Sequence, residues 1–406
     1  MKKILALVLV FAMVLAFAAC AGKTEPKTTD SDATGSDVAP AQTGTDAEPV
    51  EVTGDYKVAM VTDYGDITDQ SFNQTTYEAC KEFCGANGID FNYFKPASDS
   101  DEDRVAMIES AIDEGYNVVV LPGYAFGAAI KETAGPNADV KFIALDVSAG
   151  DLGEDYEVPA NLYCAVYQEE LCGYMAGYAA VKLGYTKLGF LGGMAVPAVI
   201  RYGYGFVQGA DAAAAELGKT DVTINYAYGN QFFGDADITA AMDTWYQGGT
   251  EVVFACGGGI YTSAVDAAKK VEGAKVIGVD VDQAATIAAY AAGDDGNAAD
   301  YADLTVTSAM KGLAPTVKTM LTAVVSGNFG EYGGKVDNLG LVSENPDENY
   351  VQLAGSTQFS DGFTADDYAA LTAKLFSGEI TVSNDISITA AENAKTVTVN
   401  DLGNIK

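Results

Sequence analysis

The chain has 406 residues, 57 of them acidic and 23 basic, for a formal charge of −34. That surplus repels polyanions, so it excludes nucleic acid as a partner and disfavours a phosphorylated ligand; a neutral or cationic solute fits better. There is no histidine, which removes the Ser-His-Asp triad, the Cys-His pair and histidine-containing zinc sites together.

At the N-terminus, Lys2 and Lys3 precede an apolar run over residues 4–19, short for a membrane span and of the length of an export signal. The run stops at Phe17-Ala18-Ala19-Cys20, which resembles a lipobox with Phe17 where Leu or Val is usual. Residues 1–19 are therefore expected to be a lipoprotein signal peptide. Cys20 becomes the acylated first residue, held at the extracytoplasmic face of the cell membrane by two acyl chains. Residues 20–55 are mostly Thr, Asp, Ser, Glu, Ala, Pro and Gly. They offer too little apolar surface to offset ordering entropy and read as a disordered tether.

From residue 56 onward, apolar strand runs alternate with helical patterns. The strands are expected at 57–61, 90–94, 117–121, 141–147, 187–191, 222–228, 251–255 and 275–279. Helices are expected at 71–85, 102–115, 168–183, 199–217, 238–248 and 262–271. Such alternation means right-handed βαβ units on parallel sheets. Ser71 with Gln74 reads as a capping box, and Gly115, Gly184 and Gly218 sit where helices should stop. The pattern restarts after residues 161–167, and roughly 350 residues exceed one simple core, so two similar α/β halves are expected.

Cys80, Cys84, Cys164, Cys172 and Cys256 are an odd set, with two of them four apart on a predicted helix. They read as small core residues rather than a metal or disulfide set. Ligands of open parallel sheets sit beyond the carboxyl ends of the strands. Here those ends carry Asp63 and Asp146 in the first half, and Gly192-Gly193, Gly257-Gly258-Gly259 and Asp280 in the second. After the first strand, Asp63 offers a carboxylate for hydroxyls, Phe72 a flat face for a ring, and Asn73 both donor and acceptor for its edge. The triple glycine lacks the third glycine of a dinucleotide fingerprint, since Thr262 stands there, and no P-loop is present.

Several motifs occur together and in order. They are Thr62-Asp63-x-Gly65 followed by Asp69-x-Ser71-Phe72-Asn73; Asn161; Glu169-Glu170 with Gly177; and Gly192-Gly193-Met194 with Pro197. Further on come Gly205-Phe206 with Gly209; Gly257-Gly258-Gly259; Val279-Asp280-Val281-Asp282-Gln283; and Thr307-Ser308 with Lys311. In these the chain resembles the basic membrane protein family of substrate-binding lipoproteins, and within it the purine-nucleoside-binding type that serves ABC transporters. A local insertion, Gly293-Asp294-Asp295-Gly296-Asn297, departs from that pattern.

The resemblance implies an α/β, two-lobed periplasmic-binding-protein type I fold, each lobe a parallel sheet flanked by helices, with a hinge of three crossovers. It implies residues 56–163 plus 284–325 as lobe 1, and 164–283 plus 340–406 as lobe 2. It also implies site roles. Phe72 stacks on one face of the purine and Phe233, with Phe232 beside it leaving the register open, stacks on the other. Asn73 and Asp146 read the base edge. Asp63, Gly258 or Gly259, Asp280 and Lys311 hold the ribose, with Lys311 able to bridge Asp63 and Asp280.

The function so implied is capture of a purine nucleoside (inosine, adenosine or guanosine) and delivery to an ABC permease, with no cofactor, no metal and no catalysis. The alternative is the same fold binding a sugar or furanosyl signal for uptake or sensing. A nucleoside-processing enzyme working through Asp63 and Asp280 comes last.

Overall fold

The central strands of the first half are apolar on both faces, as befits parallel strands covered by helices on each side. This half runs β1 (Lys57–Val61), α1 (Phe72–Asn87), β2 (Asp90–Phe94), α2 (Asp101–Asp113), β3 (Val118–Pro122), α3 (Gly127–Thr133), β4 (Lys141–Leu145), α4 (Ala149–Leu152) and β5 (Leu162–Tyr167). Next come α5 (Glu169–Lys182), β6 (Lys187–Gly192), α6 (Pro197–Leu217), β7 (Thr223–Tyr228) and α7 (Ala236–Gln247). These lead to β8 (Val252–Cys256), α8 (Tyr261–Ala268), β9 (Lys275–Asp280), α9 (Ala284–Ala292) and β10 (Thr305–Lys311). The remainder holds α10 (Leu313–Val325), β11 (Lys335–Leu339), β12 (Val351–Leu353), α11 (Ala365–Phe376) and β13 (Thr398–Asn404).

This computed structural model describes residues 49–406 except 154 and 295. The expected signal peptide, the lipidation site Cys20 and the tether as far as residue 48 lie outside the described residues.

Two sheets result. One has the order β11-β5-β4-β3-β1-β2, the other β12-β10-β9-β8-β6-β7-β13. All neighbours are parallel except β10 with β12. β1–β4 and β6–β9 each fall within a residue or two of their expected places, whereas no strand was expected where β5 lies. The five cysteines are free and buried.

Four expectations need correction. β10 pairs with β9 in the second sheet, so residues 284–325 do not all belong to lobe 1; only α10 returns there, packing on α1 and β4. β5 continues through Tyr167 in the first sheet, so the first lobe does not end at 163. The tether does not run to 55 without contacts: Val50 N donates to Asn87 Oδ1 at 2.8 Å, and Thr53 donates through N and Oγ1 to Val325 O at 2.8 and 2.9 Å. Val50 packs its apolar side chain on the core.

The fourth concerns the capping box, which is not formed. The Ser71 side chain makes no cap bond. Instead Asp69 accepts from the N–H groups of Ser71, Asn73 and Gln74 at 2.9, 2.9 and 3.0 Å. Asp69 can offer two acceptor oxygens where a hydroxyl offers one, and so satisfies three of the orphan donors at the helix start. That frees Ser71 for the cleft.

The chain passes between lobes at 167–169, 311–313 and 339–351, giving three crossovers. They lie side by side: Gln168 N donates to Leu339 O at 2.9 Å, Gly312 N to Tyr350 O at 2.7 Å and Tyr350 N to Gly340 O at 3.0 Å.

Candidate functional site

The carboxyl ends of the parallel strands converge on the cleft between the lobes, and the ten residues singled out from the sequence meet there. Asp63, Phe72, Asn73, Asp146, Phe232, Phe233, Gly258, Gly259, Asp280 and Lys311 all line one cavity of about 360 Å³. That is the size of a small-molecule site. Asp280 and Lys311 are the last residues of β9 and β10, Asp146 follows β4, and the glycines follow β8. The lobes touch across it. Ser71 Oγ donates to Asp280 Oδ2 at 2.5 Å, Gln283 Nε2 to Gln70 O at 3.0 Å, and Tyr64 OH to Met194 Sδ at 3.2 Å.

A buried ion network forms the floor. Lys311, 6% exposed, places Nζ 2.6 Å from Asp146 Oδ2, 3.5 Å from Glu169 Oε1 and 3.8 Å from Asp280 Oδ1. Its ammonium also lies 4.8 Å from the Phe72 ring centroid and 5.4 Å from that of Tyr167. Glu169 in turn accepts from Arg201 Nε at 2.7 Å. Two cations therefore face three carboxylates, Glu169 and Asp280 buried and Asp146 mostly so, and leaving any one unpaired would be costly. Burial pushes the Asp146 carboxyl up to about 6, with Lys311 pulling the other way and Glu169 adding to the rise. Burial likewise raises Asp280 against the pull of Lys311. Burial opposes the charge on Lys311, but Asp146, Asp280 and Glu169 outweigh it and hold the amine well above its usual range.

Lys311 does not bridge Asp63 and Asp280 as expected. Asp63 turns back on its own loop, where Oδ1 accepts from Tyr64 N and Gly65 N, both at 2.6 Å. Burial raises its pKa, opposed by those two N–H groups. The expected base-edge residue Asp146 and the expected ribose residue Lys311 are thus partners in one network.

Two acceptor atoms in this cavity are spare. Asn73 Oδ1 and Asp146 Oδ1 are buried with no hydrogen-bond partner among the described residues. Asn73 has its amide group committed instead, Nδ2 donating to Asp69 Oδ2 at 3.3 Å. Buried polar atoms are nearly always satisfied, so a pair of orphans facing one cavity marks a place for donors from elsewhere.

The two phenylalanines of the 229–235 loop differ in setting. Phe232 is wedged over glycines: a Cβ on Gly193 or Gly257 would lie 2.4 or 2.8 Å from its Cδ1. Phe233 pairs with Gly259 in a parallel bridge and leaves 60% of its surface exposed.

Backbone strain collects in the same place. Among the described residues, the non-glycine residues with positive φ are Gln70, Asp146, Asn230 and Asp280, at φ 57°, 58°, 59° and 65°. Each lines the cavity or begins a segment that does, and each costs on the order of 1 kcal/mol or more, which the surrounding structure must sustain.

Sequence reasoning gave Glu169 and Arg201 no role in the site, and gave Ser71 only a capping role. The acidic pair Glu169-Glu170 opening an otherwise apolar helix was the available signal.

A two-lobed fold of this topology with an interlobe cavity at the strand ends is of the periplasmic-binding-protein type I class. Residues 56–362 match the family described as ABC transporter substrate-binding protein PnrA-like, or Bmp, and the chain belongs to that family. The chain is 30% identical over 245 residues to the ABC transporter nucleoside-binding protein BmpA of Lactococcus lactis subsp. cremoris, a match covering 57% of this chain and 66% of that protein, just under two thirds of its length. Its fold is similar to that of the ABC transporter solute-binding proteins from Aeropyrum pernix K1, with TM-score 0.63, 20% identity, and 82% of this chain and 94% of the other covered. A solute-binding protein from Conexibacter woesei gives TM-score 0.60 and 24% identity, with 81% and 99% covered.

Proposed function

We propose that this protein is the lipid-anchored, extracytoplasmic receptor of an ABC importer for purine nucleosides. The observation that carries the reading is the pair of orphan acceptors, Asn73 Oδ1 and Asp146 Oδ1, set in a cavity that also holds Phe72 and the exposed ring of Phe233. A purine offers N–H donors on its edge and two flat faces, and so meets both needs at once. The name of the lactococcal relative, a nucleoside-binding protein, supports the same ligand class.

In this reading Phe72 and Phe233 clamp the base, while Phe232 supports its neighbour from below. Asp280, Gly258 and Gly259 lie against the sugar, with Lys311 holding Asp146 and Asp280 in place. Asp63 contributes its free oxygen to a ribose hydroxyl, a charge-assisted contact. Closure of the lobes over the base shifts the population to the closed form, and the tethered protein presents it to the permease. No catalytic step is assigned.

Calorimetric titration with inosine, adenosine, guanosine, ribose and inosine 5′-monophosphate tests this. Nucleosides should bind at micromolar concentration or tighter. The monophosphate should not, because the carboxylates of the site outnumber its cations. Phe72→Ala and Phe233→Ala should each cost roughly 1–3 kcal/mol of affinity, the range for loss of one stacking partner. Absence of heat with every nucleoside would end the reading.

A further inference from the structure

The segment beyond the family match has a use that the site itself reveals. The match stops at residue 362, and the chain then wraps around the second lobe. Three residues on one face of α6 receive it. Tyr204 OH donates to Ile388 O at 2.7 Å, Gln208 exchanges hydrogen bonds with the backbone of Ser383 at 2.8 and 2.9 Å, and Asp211 Oδ1 accepts from the N–H groups of Lys395, Thr396 and Val397. β13 then adds to the sheet edge beside β7, in parallel from Thr398 opposite Thr223 to Asn404 opposite Tyr228. Ile405 N closes the pairing on Tyr228 O at 2.8 Å.

Tyr228 is the last residue before the loop that carries Phe232 and Phe233. The strand therefore delivers Lys406 to the base of that loop. Lys406 Nζ pairs with Asp235 Oδ2 and lies 3.5 Å from Gln231 Oε1. Gln231 Nε2 donates to Asp235 Oδ2 at 2.8 Å and to Phe233 O at 2.9 Å. Asp235 Oδ1 meanwhile caps α7, accepting from Asp237 N and Ile238 N, both at 3.0 Å. Both ends of the loop are thus fastened, one by the added strand and one by this polar cluster. Asn230, at the loop start, is held at φ 59°.

We propose that the segment 398–406 is a brace for the aromatic loop of the binding cavity, with Lys406 as its positioning residue. It holds Phe233 O through Gln231 and Asp235, and so fixes where an exposed ring stands before ligand arrives. A ring already in place loses less freedom on binding, and the gain appears as slower release. The inference rests on the nucleoside reading for its second readout only.

The test uses the full chain with Lys406→Met, Lys406→Arg, Asp235→Asn and the Lys406→Met/Asp235→Asn pair. In the ligand-free protein, hydrogen exchange over 229–235 should rise about three- to fivefold for Lys406→Met, the scale of one partly exposed ion pair. Lys406→Arg should restore wild-type exchange. Asp235→Asn keeps an acceptor for the α7 cap, and combining it with Lys406→Met should add nothing further. Inosine dissociation should quicken by the same factor, while the melting temperature stays at the wild-type value. Exchange in Lys406→Met equal to wild type overturns the brace, as does a melting shift that accounts for the whole effect. If wild-type protein binds no nucleoside, the proposed function falls and the exchange comparison alone decides the brace.

Discussion

Glu170 lies in the first turn of α5 with 3% of its surface exposed. Its Oε2 has no hydrogen-bond partner among the described residues. Burial, with Glu169 next to it adding to the effect, raises its carboxyl to about 7. The folded chain therefore holds a proton between about pH 4.5 and 7 that the unfolded chain releases. Stability from this group is fully present below 4.5 and is lost as pH rises through 7. Glu170→Gln keeps the shape and removes the charge. It should raise stability at pH 8 by on the order of 1–3 kcal/mol and change little at pH 5. Urea unfolding at the two pH values measures this; equal effects at both would show that ionisation of Glu170 is not what strains the site. Glu169, one residue earlier, is instead reached by both Arg201 and Lys311. Two adjacent glutamates in the sequence thus have different partners, set by where distant cations are placed.

At the scale of elements, the pair α5 and α6 sets the floor of the site. A Cβ on Gly173 or Gly177 would lie 2.1 or 2.0 Å from the carbonyl oxygen of Tyr202 or Phe206, and one on Gly205 or Gly209 would lie 2.1 or 1.9 Å from that of Glu170 or Tyr174. The helices approach backbone to backbone, which brings Arg201 to Glu169. Backbone on both sides cannot rotate out of the way. Gly177→Ala should therefore destabilise by roughly 1–3 kcal/mol or more, seen as a lower denaturation midpoint at unchanged slope; an unmoved midpoint would refute the close approach.

β1, β3, β4, β6, β8 and β9 were legible because burial on both faces writes a nearly continuous apolar run. The sheet that β10 joins was not legible: Thr-Val-Thr-Ser-Ala-Met-Lys carries no mark of which neighbour it will pair with. β13 escaped notice for another reason. As an edge strand its residues Thr398, Asn400, Asp401, Leu402, Gly403 and Asn404 are exposed, so no apolar pattern is required of it. The residues lining the cavity could be named from the sequence because most of them lie just beyond strand ends or at a helix start. The ion network could not, since the partners of Lys311 come from the residue after β4, from α5 and from β9, distant in sequence.

For the whole molecule, the link between cavity and lobes is physical. Glu169 and Lys311 belong to two of the three crossovers, and Lys311 also holds Asp146 of the first lobe. Ser71 of the first lobe meets Asp280 of the second. A ligand that touches Asp146 and Asp280 therefore touches groups which already span the cleft, and its binding energy acts on the relation between lobes. The most direct measurement is a crystal structure of the inosine complex. The account expects the base between the Phe72 and Phe233 rings, with centroids about 4.5–7 Å away, and Asn73 Oδ1 or Asp146 Oδ1 accepting from a base N–H at about 2.7–3.2 Å. Inosine seated elsewhere, with Phe233 still facing solvent and both oxygens without a ligand donor, would contradict it.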